Sequence, residues 1–434
     1  MRPGAHLQSA IDVLEEMERG HRPAHLVLGD WGRTHRFAGS GDRSAIGNLV
    51  FDALRRRASI AWRMGSDAPR ALALGAARWV WDEPIETLDG WCDGSKYAAA
   101  PLTDGERAEL EQRCCTDLPD WVEGDYPEWL SGEFARAFGE EARAQGAALA
   151  KRAPIDLRVN TLKTNRDKIL ESLASFDAKP TELSPVGVRI EVRAGPAKSP
   201  NVEADAGHGR GRFEVQDEAS QLAALLTGAS AGDQVLDLCA GAGGKTLALA
   251  AAMENRGQIH AYDSERTRLR PIFDRLKRGG VRNTQVLAAD DETALEPLRE
   301  KMDLVLVDAP CSGSGTWRRR PDAKWRVKPD ALEARMREQK AVLEQGAQYV
   351  RPGGRLVYVT CSVLPCENGD QIAGFIESHP DFALAPFEDV WRGTIGTEPP
   401  ASADGVEGGA LLLTPASHGT DGFFVAVMDR RQEA

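Results

Sequence analysis

Asp303-Leu-Val-Leu-Val-Asp-Ala-Pro-Cys-Ser-Gly-Ser-Gly-Thr316 runs from an apolar segment straight into a glycine-rich turn. Leu304 to Val307 read as a buried strand, short and continuously apolar. Asp308 arrives at its C-terminal end, and Cys311 follows in a turn between Pro310 and two glycines. In an open parallel sheet, ligands sit at the C-terminal strand ends, so an acid and a thiol here are placed for chemistry. Gly354-Arg-Leu-Val-Tyr-Val-Thr-Cys-Ser362 repeats the arrangement and ends in Cys361. Two thiols at two successive strand ends point to a cysteine mechanism. Either one alone also reads as a small apolar strand cap, because free cysteine is usually just buried.

Outward from this stretch the pattern alternates. From about residue 231, strands are expected at 234–239, 258–263, 284–289, 303–308 and 355–360, with a last one at 422–428. Helices fall between them, notably over 331–350, which Arg351-Pro-Gly-Gly354 is expected to end. Alternation of this kind predicts an α/β domain over 231–434: a Rossmann-like, mostly parallel, doubly wound sheet. Residues 395–410, rich in Gly, Pro, Glu and Ala, read as a loop.

A small α/β domain is expected before it, over 145–230. Ile155-Asp-Leu-Arg-Val-Asn-Thr-Leu162 alternates like a strand, 166–176 reads as a helix and 187–192 as a second strand. Asp217 is placed to cap a short helix. Arg189, Arg193, Lys198, Arg210 and Arg212 give this region a basic tilt. Residues 1–140 read as all-helical, with apolar spacing at Ile11, Leu14 and Met17, a second helix over 44–56 and a third over 69–81. Seven of the ten tryptophans precede residue 130, and core packing explains them better than base stacking. Arg55-Arg56-Arg57 reads as a solvated helix end more readily than a phosphate contact.

With 434 residues, 42% hydrophobic and 28% charged, the chain is an ordinary globular protein of two or three domains. No apolar run approaches the roughly 20 residues that span a bilayer. Met-Arg-Pro-Gly-Ala-His at the start lacks a signal-peptide core, so a cytoplasmic protein without membrane partners is expected. Seven cysteines, an odd number, fit reduced thiols, and adjacent Cys114 and Cys115 read as packing residues. Without a Cys-x-x-Cys pair, and with eight scattered histidines, no metal is expected. A net charge of −12 does not describe a general nucleic-acid binder, although a local basic face can bind phosphates.

Val235-Leu-Asp-Leu-Cys-Ala-Gly-Ala-Gly-Gly-Lys-Thr246 reads as a strand, a glycine turn and a helix start. Glycines let backbone approach a ligand closely. Asp263 ends the next strand, 22 residues after Gly241, which suits a carboxylate receiving ribose hydroxyls. The competing reading is a P-loop nucleotidase, since Gly244-Lys245-Thr246 resembles the end of a Walker A motif. That motif needs glycine where Cys239 stands, and Asp237 would bring negative charge near phosphates. A Gly-x-Gly-x-x-Gly dinucleotide site fails at Thr246.

Glycines after the first strand and an acid ending the second suit an adenosine-bearing cofactor such as S-adenosylmethionine. Its electrophilic methyl needs a nucleophile, and carbon 5 of cytosine is a poor one. Thiolate addition at carbon 6 makes an enamine and corrects this. The residues resemble the RNA cytosine-5 methyltransferases of the RsmB/Sun/Nop group. Asp308-Ala-Pro-Cys-Ser-Gly-Ser-Gly315 is similar to that family's fourth motif and Thr360-Cys-Ser362 to its sixth. Leu157-Arg-Val-Asn160, Val215-Gln-Asp-Glu-Ala-Ser220, Arg319-Arg-Pro-Asp322 and Thr420-Asp-Gly-Phe-Phe424 also match, so the resemblance covers about 155–430.

The resemblance implies a class I (Rossmann-like) methyltransferase domain with Cys361 as nucleophile, Cys311 assisting release, and Asp308 holding the cytosine ring edge. It implies a cofactor pocket lined by Cys239, Ala240, Gly241, Ala242, Gly243, Gly244 and Lys245. Asp263 would hold the ribose, supported by Arg268, and Asp290 would lie near the adenine. One departure stands out: the family's usual proline in the glycine turn is Ala242 here. Cys366 has no match and reads as structural. DNA cytosine-5 methyltransferases use a Pro-Cys nucleophile, which would leave Cys361 unexplained.

Trp317-Arg-Arg-Arg-Pro-Asp-Ala-Lys-Trp-Arg-Val-Lys328 holds six basic residues and one acid directly after the Cys311 turn, and phosphate contact is expected there over a solvated loop. Carbon 5 chemistry needs an unstacked base, which single-stranded or loop RNA supplies. The helical region, with Gly39-Ser-Gly-Asp-Arg43, resembles the NusB-like domain of bacterial members, implying a grip on structured RNA, most simply rRNA. A non-catalytic RNA-binding scaffold is the alternative, and it leaves both strand-end cysteines without purpose.

Overall fold

The computed structural model describes residues 1–111, 117–289, 291–403 and 409–432; Cys114, Cys115 and Asp290 lie outside the described residues. The N-terminal helices Pro3–Gly20, Ala24–Thr34, Ser40–Arg55, Arg57–Met64, Pro69–Trp79 and Ile85–Trp91 share one apolar core around Leu7, Leu14, Ile46, Leu49, Leu72 and Leu74. Helical spacing puts these residues on inward faces. Trp31, Trp79, Trp81 and Trp91 pack against that core as half-buried residues, while Trp62 is 48% exposed. By packing, this core ends at Leu110, whereas Tyr126, Leu130, Phe134 and Phe138 belong to the core under the large sheet.

Strands β1 (Ile155–Val159), β2 (Lys179–Pro180), β3 (Gly187–Ile190) and β4 (Phe213–Val215) form an antiparallel sheet in the order β2-β3-β1-β4. Helix Arg166–Ser172, capped by Asn165, covers it through Ile169. At three residues, β4 is too short to show alternation in the sequence. Asp217 caps helix Glu218–Leu225, accepting from the Ala219 amide. Arg189 does not face solvent as part of a basic surface: it grips buried Asp156 with two bonds of 2.7 and 2.8 Å.

The large sheet is built from β5 (Gln234–Asp237), β6 (Gln258–Ala261), β7 (Thr284–Val286), β8 (Met302–Asp308), β9 (Val350–Thr360), β10 (Phe382–Ala385), β11 (Leu411–Leu413) and β12 (Phe423–Arg430). Its order is β10-β12-β9-β8-β5-β6-β7, with β11 also on β12. Pairing is parallel from β7 to β9 and antiparallel at β12, so the sheet is mostly parallel with an antiparallel edge. Leu304 to Val307 are buried on both faces, as a continuous apolar run requires.

The helix expected to 350 is Pro329–Ala347, and Arg351-Pro-Gly-Gly354 lies inside β9. Gly353, at φ 74°, serves a bulge where the β8–β9 register shifts. The short edge strands β10 and β11 were not foreseen; the second follows the expected loop, of which 404–408 lie outside the described residues.

Candidate active site

Strands β8 and β9 are parallel neighbours, with Asp308 opposite Val359, so the turns that follow them lie side by side. The Cys311 and Cys361 sulfurs are 3.4 Å apart and half-buried. Gly313 takes φ 71°, and Gly315 donates its amide to the Cys361 carbonyl at 3.0 Å. A Cβ on Gly315 would lie 2.1 Å from the Gly422 carbonyl oxygen, so the turn needs glycine there. The hydrogen bond to Cys361, together with burial, pushes the Cys311 thiol well up from its ordinary value.

Glu367, fully buried, ties the two turns together and was missed in the sequence. Its carboxylate accepts from the Ser312 amide at 2.7 Å, the Ser312 and Ser362 hydroxyls at 2.5 Å each, and Gln339 at 3.0 Å. An acid within Val363-Leu-Pro-Cys-Glu367, beside apolar neighbours, was the available signal.

At the end of β8, Asp308 pairs with Lys245 at 2.7 Å, and the Lys245 ammonium lies 5.2 Å from the centre of the Phe423 ring. Asp237 is fully buried; one oxygen accepts from the Thr246 hydroxyl at 2.6 Å and the other has no protein partner. Burial pushes its carboxyl up to about 7, against the Thr246 bond and with the help of Asp308. Lys245 and Thr246, the would-be phosphate ligands of a P-loop, are thus both engaged by carboxylates. Burial, then Asp308, Asp263 and Asp237, push the Cys239 thiol up as well.

In the glycine turn, Gly241 and Gly243 take φ 51° and 81°. Asp263, at the end of the β6 region, accepts from the Gly241 amide and the Glu265 amide at 2.9 Å each, with Arg268 3.7 Å away. Three carboxylates, Asp237, Asp263 and Asp308, therefore surround a turn held open by glycine. With Lys245 committed to Asp308, the turn's own lysine is not free to meet a polyphosphate. The orphan oxygen of Asp237 and the absence of side chains at 241, 243 and 244 fit an adenosine-bearing sulfonium cofactor.

Three members of the basic run after Cys311, Arg318, Arg319 and Lys324, are engaged inside the protein and not in the phosphate contact expected. Arg318 and Arg319 both pair with buried Asp217 and Asp421, and Arg319 also donates to the Pro154 carbonyl at 3.0 Å. Lys324, 1% exposed, donates to the carbonyls of Arg55 (2.9 Å) and Asp125 and lies 4.9 Å from the Trp325 ring centre. Trp325 donates to the Leu54 carbonyl at 2.6 Å. The Arg55-Arg56-Arg57 run, read as a solvated helix end, is the other half of this joint: Arg55 pairs with Asp52 and donates to the Arg318 carbonyl, and Arg56 pairs with Asp125. These charges fasten the helical region to the segment leaving the cysteine turn.

Sheet order, glycine turn and acidic strand ends together define a Rossmann-like methyltransferase. The family model described as 16S rRNA methyltransferase RsmB/F matches residues 224–429, and that of the RsmF/B-like ferredoxin-like domain matches 126–195. The chain is 33% identical over 329 residues to the probable ribosomal RNA small subunit methyltransferase B of Synechocystis sp., covering 75% of this chain and 69% of that one. It is 33% identical over 335 residues to the probable ribosomal RNA small subunit methyltransferase B of Bacillus subtilis, covering 73% and 67%. The crystal structure of PH0851 superposes with a TM-score of 0.74 at 25% identity, covering 99% of each chain. The chain belongs to the RsmB/F family of rRNA methyltransferases.

Proposed function

We propose that this protein transfers a methyl group from S-adenosylmethionine to carbon 5 of a cytosine in small-subunit rRNA, through a covalent adduct at carbon 6. The observation that carries this reading is the pair of thiols 3.4 Å apart at neighbouring strand ends. The cofactor supplies an electrophilic methyl. Asp263, supported by Arg268, receives its ribose, and residues 239–245 line its pocket.

The Cys361 sulfur adds to carbon 6, and the electrons of the 5,6 double bond move onto carbon 5, which takes the methyl. Asp308 holds the ring edge and favours this enamine. The carbon 5 proton then passes to solvent, the double bond re-forms, and the Cys361 sulfur leaves carbon 6 with its electron pair, helped by a hydrogen bond from the Cys311 thiol. The hydrogen bond to Cys361 and burial keep Cys311 protonated, so it serves as a donor to the Cys361 sulfur, which suits a role in release and not the DNA-type arrangement in which the Pro-Cys thiol attacks. Glu367 keeps both turns in place.

The helical region, which resembles a NusB-like domain, is assigned to gripping RNA in the cytoplasm. Among the described residues no helix is long and apolar enough to cross a membrane. The test is to incubate the protein with S-adenosylmethionine and small-subunit rRNA, hydrolyse the RNA and identify the product nucleoside by mass spectrometry. 5-Methylcytidine is expected. Methyl transfer to another base would contradict the assignment.

A further inference from the structure

Ala242 sits between the two left-handed glycines of the cofactor turn, and Gly243 closes that turn by donating to the Ala240 carbonyl at 2.8 Å. Glycines on both sides leave the backbone with many alternatives to lose when a ligand is bound. A proline ring at 242 would fix φ, and this chain has none. What holds the turn instead comes from outside it.

Arg275, on helix Ile272–Gly279, donates from Nη1 to the Ala242 carbonyl at 2.9 Å. Arg158, on β1 of the small sheet, donates to the Gly244 carbonyl at 2.8 Å. The rest of the Arg275 guanidinium is bound by Glu214 on β4, through Nε at 3.2 Å and Nη2 at 3.0 Å. Arg278 adds a contact of 2.6 Å to the same carboxylate. Glu214 is 5% exposed; burial alone would raise its carboxyl, and Arg278 and Arg275 hold it below its ordinary value, so it stays ionised. An ionised, buried carboxylate fixes a planar guanidinium in one orientation. The same helix also packs directly under the turn, since a Cβ on Gly243 would lie 2.5 Å from Ile272.

We propose that Arg275, oriented by Glu214, is a positioning residue for the cofactor turn, holding the Ala242 carbonyl where a proline ring would otherwise fix the backbone. This rests on the reading that the turn receives S-adenosylmethionine. It makes cofactor affinity depend on the small α/β domain, because Glu214 and Arg158 both belong to that domain's sheet.

The test measures S-adenosylmethionine binding to the full chain by calorimetry, alongside steady-state kinetics. Arg275→Met is expected to weaken the Kd about tenfold, the scale of one charge-assisted hydrogen bond. It should raise the KM for S-adenosylmethionine in parallel and leave the KM for RNA and the kcat at saturating cofactor within about twofold. Glu214→Gln should weaken binding by less, and adding it to Arg275→Met should cost nothing further. In an Ala242→Pro background, the loss caused by Arg275→Met should shrink to under about threefold. Unchanged affinity in Arg275→Met, the same loss in both Ala242 backgrounds, or a combined fall in cofactor affinity, RNA affinity and Tm would each overturn the proposal. If the unaltered protein bound no S-adenosylmethionine, the reading of the turn would fail instead.

Discussion

The Ser362 hydroxyl donates to the Glu367 carboxylate at 2.5 Å, and through that acid the Cys361 turn is joined to the Cys311 turn. Glu367 has no exposed surface, so its charge is satisfied by hydrogen bonds within the protein.

Glu367→Ala would leave the Ser312 amide and two serine hydroxyls without this acceptor, and would leave Gln339 with the Pro310 carbonyl alone. A loss of about 2–4 kcal/mol in unfolding free energy is expected, read by denaturant titration. Methyl transfer should fall at least about a hundredfold while S-adenosylmethionine affinity stays within about threefold, because Glu367 bonds the cysteine turns and not the glycine turn.

Gly315→Ala should be equally damaging to activity for a steric reason: its new Cβ would sit 2.1 Å from the Gly422 carbonyl. Gly313→Ala, at φ 71°, carries backbone strain but meets only the Thr316 hydroxyl at an ordinary contact distance of 3.5 Å, and should cost only about 1 kcal/mol. Thermal melts of the two variants separate these cases.

Asp237 contributes a pH dependence of known sign. Its folded carboxyl is pushed up to about 7 from an ordinary 3.8, so the folded state binds more protons in between. Stability from this group is present below pH ~4 and is lost as pH rises towards about 7. Asp237→Asn should remove that dependence, making the variant less sensitive than the unaltered protein over pH 4 to 7 by on the order of a few kcal/mol. Unfolding free energies at a series of pH values check it.

Lys324 has the opposite sign. Burial pushes its ammonium down to about 7 from 10.5, so the unfolded chain binds more protons above pH 7 and stability from this group rises with pH up to about 10. Lys324→Met should abolish that rise. At pH 7 it should also loosen the joint between helical region and catalytic segment, costing about 1–3 kcal/mol through two lost bonds to carbonyls.

The large sheet was legible because Leu304 to Val307 and Leu356 to Val359 are continuous apolar runs ending in chemically loaded turns. Period and length suffice for such strands. The edge strands β10 and β11, of four and three residues, offer too little pattern. Charge was legible in Arg318, Arg319 and Lys324, but its use was not. Their partners, Asp217, Asp421 and the Asp125 carbonyl, lie about a hundred or more positions away, and only the folded chain brings them together. Glu367 was hidden because two of its partners, Ser312 and Gln339, lie 55 and 28 positions away and meet it only in the folded chain. The two cysteines could be named from their motifs; their 3.4 Å approach depends on β8 and β9 being parallel neighbours.

The central claim is that Cys361 forms the covalent bond and Cys311 does not. The direct measurement uses small-subunit rRNA carrying 5-fluorocytosine, whose fluorine blocks the final elimination. The RNA is incubated with S-adenosylmethionine and the unaltered protein, Cys361→Ala or Cys311→Ala, and resolved under denaturing conditions. A protein–RNA adduct with the unaltered protein and with Cys311→Ala, absent with Cys361→Ala, is the predicted result. An adduct that survives Cys361→Ala and disappears in Cys311→Ala would contradict it.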